Sequence, residues 1–344
     1  LMTVHGTSAQ EVPTLEKIIE GAKQEGKLTA WILVPAKPET HRAVIQAFNT
    51  RFGLNTEVEW VPNSPNNSNT RVIAEAAAGK VTVDVIGGGN EEEVYAAYKA
   101  GVIKAYPWVE VFGKEFPRIK DLEEQVFPDF RSIALPYYVA VWGMAWNPNL
   151  IADEDVPDNY TDFADPKWSG KFGQNSYFLS PAPILAGTLG YDETIALAKK
   201  IIANKPVYSK GSAGGLQDIS NGVVSFGIVL YNHAVQAMNA NQPVKYKLFA
   251  DYMPMAYGHV FVPEGAPHPN GARLFAAWFA AEGYKIAAEL EPFSEPANPD
   301  SPISKMLEEQ VGKGAKVVGF KNSEDIALSA KTRAELSLML SGQQ

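Results

Sequence analysis

The 344-residue sequence contains no cysteine. That single absence removes disulfides, thiolate metal sites and cysteine nucleophiles together. A reducing cytosol permits it, and so does a bacterial periplasm. Long hydrophobic runs are missing too, none approaching the roughly 18 residues of a membrane-spanning helix. Positive charge is in deficit: 30 Lys and Arg stand against 39 Asp and Glu, a net charge of −9. A basic stripe supplies most non-specific affinity for nucleic acid, so no nucleic-acid partner is expected. Internal repeats, low-complexity tracts and heptads are absent. So are Gly-x-Ser-x-Gly and His-Glu-x-x-His. No catalytic residue is nominated, and the chain is read as a protein that is not an enzyme. The chain opens LMTVHGTSAQEVP. Leu1 is not a natural start, so residues 1–11 are read as a processed N-terminus or an expression remnant. A periplasmic or extracellular protein whose signal peptide is gone is the expectation.

What is present is the composition of a globular protein with alternating strand and helix signals. VPTLEKIIEGAKQEGK (12–27) has helical spacing and ends near Gly26. LTAWILV (28–34) is a buried strand, THRAVIQAFNTRFG (40–53) a helix, and LNTEVEWV (54–61) a second strand. PNSPNNSNT (62–70) reads as a polar loop before the helix RVIAEAAAGK (71–80). VTVDVIGGGN (81–90) is a strand running into three glycines, followed by the helix EEEVYAAYKAGV. Further on, YYVAVWGMAWNP (137–148) is strand-rich, SKGSAGG (209–215) reads as a glycine-rich loop, and VVSFGIV (223–229) leads into LYNHAV. This alternation predicts an α/β fold.

Three stretches carry a resemblance. AFNTRFGLNTEVEW (47–60), DFADPKWSGKFG (162–173) and APHPNGARLFAAWFAAEGYKIAAEL (266–290) occur in the order seen in solute-binding proteins of ABC importers. The nearest branch is the type 2 periplasmic binding fold, with its ferric-iron, polyamine, thiamine and phosphonate binders. The resemblance implies two Rossmann-like lobes joined by a strand hinge, with crossings near 133–139 and 250–256. Lobe one is expected at 12–132 plus 253–300 and lobe two at 133–252. Helices in 301–344 are expected to pack on lobe two. A small-molecule ligand, a cognate ABC permease in the inner membrane, a monomeric state and no cofactor are implied.

Ligands of open α/β sheets sit beyond the carboxyl ends of strands. In lobe one that rule nominates Pro35, Ala36 and Lys37, then Asn67 and Asn69, then Gly88, Gly89 and Asn90. In lobe two it nominates Ser176, Tyr177 and Ser180, then Ser212 and Gly214, then Tyr231, Asn232 and His233. Tyr138, Trp142 and Tyr257 lie near the crossings and offer aromatic walls. Ordinary turns and N-caps compete with binding at each position: Ser180, Ser212 and Asn232 are all cap residues by type, and His233 would then face outward.

The ferric-binding relatives carry a tyrosine pair after Asn-x at the start of a helix. The matching text here is Asn232, His233, Ala234, Val235. Ferric iron wants anionic oxygen, which Ala and Val lack, so no metal is assigned. Glycines and helix starts favour a small polar organic anion: a carboxylate, phosphonate or phosphate ester. A cationic solute such as a polyamine or thiamine-like molecule is the alternative. A ferric-iron binder and an enzyme on a related two-lobed fold rank lower.

Overall fold

A computed structural model describes residues 12–291 and 300–341. The reading of residues 1–11 lies outside them. The chain opens with α1 (Leu15–Glu25), capped by Thr14 and closed by left-handed Gly26. Then β1 (Lys27–Ile32), α2 (Pro38–Phe52), β2 (Glu57–Val61), α3 (Pro65–Ala77), β3 (Val85–Gly89) and α4 (Glu91–Lys99) alternate. Two short helices follow, α5 (Trp108–Phe112) and α6 (Arg118–Gln125). The long strand β4 (Leu135–Trp146) leads to β5 (Phe172–Asn175), α7 (Ala186–Leu189), α8 (Tyr191–Ala203), β6 (Val207–Ser209) and α9 (Gly211–Ser220). Next come β7 (Phe226–Leu230), α10 (Tyr231–Asn239), β8 (Lys245–Lys247) and the second long strand, β9 (Tyr252–Phe261). A π-turn joins α11 (Pro269–Trp278) to α12 (Tyr284–Leu290). The described chain ends with α13 (Pro302–Gly312), β10 (Lys316–Val318) and α14 (Ser323–Ser341).

The strands lie in the order β2-β1-β3-β9-β4-β7-β5-β6. On one side β2, β1 and β3 are parallel, and on the other β7, β5 and β6 are parallel. The antiparallel pair β4 and β9 stands between them. Two α/β lobes result. In lobe one, Phe48, Phe275 and Trp278 anchor the core. In lobe two, Phe163, Phe172 and Phe226 do so. β4 pairs with β9 from Leu135 to Val141 and with β7 from Trp142 to Trp146. The change of partner between Val141 and Trp142 is the point at which this strand passes from one lobe to the other.

Two sequence expectations are corrected. The polar tract 62–70 is not a loop, because α3 begins at Pro65. Ser64 caps it by accepting the Asn67 amide proton (3.4 Å), and Pro65 brings a ready-set φ to the first turn. Asn67 and Asn69 are therefore helical. SKGSAGG is likewise helical from Gly211, so Ser212 and Gly214 lie inside α9. Leu216 and Ile219 bury one side of that helix and outweigh the low helix propensity of its glycines.

The third shared stretch is tied to the fold by two carboxylates, one of them fully buried. Asp84, fully buried, accepts the amides of Thr29 (2.8 Å) and His268 (2.7 Å) and pairs with His268 Nδ1 (2.9 Å). Glu25 accepts the amides of Asn270 and Gly271 at the start of α11. His268 is thus a structural residue of lobe one.

Candidate functional site at the hinge

Strand register locates the cleft. β3 ends with Gly89 beside His259, which faces Pro136 of β4. β7 ends with Leu230 beside Trp142. The two strands run in opposite directions along the hinge pair. Their carboxyl ends therefore point toward each other across Tyr138–Val141 of β4 and Met255–Gly258 of β9. This hinge segment is the floor, and α4 and α10 start at its two ends.

In lobe one, α3 and α4 have side-chain caps and α2 has none. Asn90 and Glu93 form a reciprocal capping box at α4: Asn90 Oδ1 accepts the Glu93 amide (3.1 Å) and Glu93 Oε2 accepts the Asn90 amide (3.0 Å). Glu291, at the end of α12, accepts the amides of Ala36 (3.0 Å) and Lys37 (2.9 Å) where the chain enters α2. Pro35 is buried, and its carbonyl meets His41 Nε2 at 2.8 Å. Gly88 and Gly89 are buried strand residues. Gly88 has φ of 103°, and a Cβ there would meet Pro65, Tyr137 and Leu33 at 3.4–3.9 Å. Its carbonyl accepts the Tyr138 hydroxyl proton (3.0 Å).

Lobe two differs. Neither α9 nor α10 has a side-chain cap. The competing reading of Ser212 and Asn232 as helix caps is corrected: Lys210 and Leu230 hold the cap positions. Ser212 Oγ instead accepts the Leu230 amide proton (2.7 Å) and lies 3.0 Å from His233 Nδ1, tying the two helix starts together. His233 faces inward, and burial lowers its pKa. Its neutral ring also walls a cavity of about 480 Å³ between α9 and α10, with Gln217 and Gln236. Tyr231 packs against Tyr246 (5.6 Å between centroids). In the loop after β5, Ser176 donates its amide to the Ser209 carbonyl (2.9 Å), while Tyr177 is 53% exposed. Phe178 and Leu179 have φ of 42° and 55°, a left-handed conformation costly for such side chains. Ser180 caps nothing and precedes Pro181.

Residues 43–313 match the family model of bacterial extracellular solute-binding proteins, well over half of the chain. The chain belongs to this family.

Solved structures agree on the fold. Iron-bound HitA from Pseudomonas aeruginosa superposes with a TM-score of 0.72 at 17% identity, covering 91% of this chain and 99% of that one. AfuA from Actinobacillus pleuropneumoniae, with fructose-6-phosphate bound, gives 0.68 at 17% identity over 91% and 97%. MotA from A. tumefaciens, in complex with glucopine, gives 0.63 at 17% identity over 92% and 99%. No curated protein matches in sequence. Solute-binding proteins of ABC transporters bind small ligands and work with a permease, and the family is periplasmic or extracellular.

Within this solute-binding protein, the hinge strands carry the aromatic candidates on two faces, Tyr138 and Trp142 on one and Tyr257 on the other. Tyr138 lies over Gly258, and Trp142 packs against the lobe-two core. Tyr257 pairs across the strands with Val139 and packs in the cluster under α13, its hydroxyl pKa pushed up to about 12 by burial and then by Glu91. Asn67 is exposed, while Asn69 is buried.

Glu91, Glu93 and Glu291 are residues that the sequence reading missed. Glu91 is 3% exposed, and Tyr257 donates its amide to Glu91 Oε1 at 3.3 Å. Burial lifts its carboxyl to about 8. Burial raises Glu93 as well, against the pull of Arg333. For Glu91 and Glu93 the only available signal was their place directly after a strand end. Three successive acids there read equally well as complements to the helix dipole. Among the described residues, no group of three or more His, Asp or Glu is placed to hold a metal ion.

Proposed function

We propose that this protein is the substrate-binding component of an ABC importer and captures a small organic anion between its lobes. The acid group sits at the uncapped starts of α9 and α10, and the solute body lies over the Tyr257 face of the hinge pair, the face against which Tyr231 also packs. The observation that carries this is the contrast between strand-end helices: α4 is closed by the Asn90–Glu93 capping box, while α9 and α10 have no side-chain cap. Free amides and the positive dipole end both attract an acceptor. Neutral His233 suits the same role, as a hydrogen-bonding group without charge. A cation would need a negative wall, and burial favours the neutral form of Glu91. The iron-bound relative supports no iron here, because Ala234 and Val235 offer no oxygen ligand. The protein acts as a monomer, binds no nucleic acid and returns its solute chemically unchanged.

Thermal denaturation against a solute panel tests this. The panel holds sugar phosphates such as fructose-6-phosphate, dicarboxylates, opines, spermidine, thiamine and ferric citrate. A ligand that binds only the folded state at about 100 times its Kd adds about 2.7 kcal/mol of stability. The expected result is a raised melting temperature with one anionic class. A shift with spermidine or thiamine alone overturns the anionic reading. Conversion of the solute on incubation overturns the transport reading.

A further inference from the structure

One hydroxyl joins the starts of α9 and α10. Ser212 Oγ lies 2.7 Å from the Leu230 amide nitrogen and 3.0 Å from His233 Nδ1. The amide can only donate, so one lone pair of the oxygen is taken. The contact with Nδ1 can run either way. If Nδ1 carries the ring proton, the oxygen accepts twice and its own proton needs a third partner. Among the described residues, Ser212 Oγ has no third partner. If Nδ1 is bare, the hydroxyl proton points at it, and the three atoms satisfy one another. The second arrangement makes one more hydrogen bond within the protein from the same groups.

Burial favours the neutral form of the His233 ring, so one nitrogen carries a proton and the other does not. The bond made at one nitrogen decides which. With Nδ1 bare, the proton sits on Nε2. Among the described residues, no protein atom pairs with Nε2, and Nε2 is not one of the unpartnered polar atoms closed off from solvent. It is a free, reachable donor.

We propose that Ser212 is a positioning residue: its hydroxyl fixes His233 as the Nε2–H tautomer and turns the ring's free nitrogen from an acceptor into a donor. The consequence for the solute rests on the anion reading above and sharpens it. The uncapped amides of α9 and α10 are donors, and Nε2–H adds another beside them. An ionised carboxylate or phosphate accepts from all of them, and such charge-assisted bonds are the stronger kind. An amide or an ammonium group would bring hydrogens against hydrogens. The tautomer itself depends on no solute.

Nitrogen nuclear magnetic resonance of the isotope-labelled, solute-free full chain reads it at mildly alkaline pH, because bare and protonated ring nitrogens resonate far apart. His233→Gln identifies the His233 signals. In the natural sequence the Nε2–H form is expected to exceed the other by about tenfold, the weight of one good hydrogen bond. Ser212→Ala should cut that excess several-fold, and Ser212→Thr, which keeps a hydroxyl, should restore it. A Ser212 that only holds the helices together would change stability and leave the ratio alone. A proton found on Nδ1 in the natural sequence overturns the proposal, and so does an unchanged ratio in Ser212→Ala. If Ser212→Ala does not fold, the natural sequence and Ser212→Thr decide: bare Nδ1 in both upholds the proposal, and a proton there in either overturns it. A solute panel in which no anion binds, with Nε2–H observed, would sink the anion reading and leave the role of Ser212 standing.

Discussion

Glu91 shows how one side chain ties the cleft to pH. Its carboxyl is raised from 4.5 to about 8, chiefly by burial. Between those values the folded protein holds a proton that the unfolded chain has released. Stability at this residue is then full below about pH 4.5, falls as pH rises and levels off above about pH 8. Glu91→Gln keeps the shape and removes the titration. Its stability relative to the natural sequence should rise between about pH 5 and about pH 9, which urea unfolding at both ends would show. A difference that stays constant with pH sinks this account. His233 offers a second test at the same scale. Ser212→Ala leaves the Leu230 amide and His233 Nδ1 without their shared partner. A loss of about 1 kcal/mol in stability is expected, with weaker binding of whichever anion the panel identifies.

At the scale of elements, the alternation of strands and helices was legible, because buried strands such as β1 and amphipathic helices such as α2 carry clear periods. The starts of α3 and α9 were not. Asn, Ser and Gly are turn residues by local preference, and tertiary packing of Val72 and Leu216 overrides them. The candidate site divides in the same way. Strand-end positions followed from alternation alone. The distal carboxylate Glu291 at Ala36 and Lys37 joins residues some 255 apart in sequence, which no local pattern carries. Nor did spacing show that Gly258 is required by packing within the hinge. A Cβ at Gly258 would lie 1.7 Å from Tyr138 Cε1. Gly258→Ala must push that ring off the strand pair. It should cost about 2 kcal/mol or more in denaturant unfolding and disturb ligand binding along with stability. A variant with unchanged stability would show that the Tyr138 ring is free to leave, and that the floor is not built as described.

Across the whole molecule, α14 is the element that reaches both lobes outside the hinge. Ile326 near its start belongs to a lobe-one cluster with Trp31, Val72 and Ile86. Leu336 and Leu340 near its end belong to the lobe-two core. Arg333 lies between these anchors: it pairs with Glu92 of α4, and its guanidinium lies 4.2 Å over the ring of Phe178, in the lobe-two loop after β5. Ser329 adds a hydrogen bond to Glu92 (2.8 Å). Any opening of the lobes about the β4–β9 hinge has to slide or release this strap. The pair is mostly buried, with side chains 23% and 11% exposed, so breaking it costs more than a surface ion pair. Arg333→Ala removes the ion pair and the ring contact together and leaves Ser329 as the hydrogen bond from α14 to Glu92 of α4. The expected outcome is a shift of the unliganded protein toward more open lobes, seen as a larger radius of gyration in solution scattering. Faster amide exchange in the first half of α14 should accompany it, with less change near Leu336 and Leu340. Glu92→Gln should reproduce much of the effect, and the double variant should add little to either single change. If scattering and exchange are both unchanged in Arg333→Ala, then α14 does not restrain the lobes, and the hinge strands alone set their range.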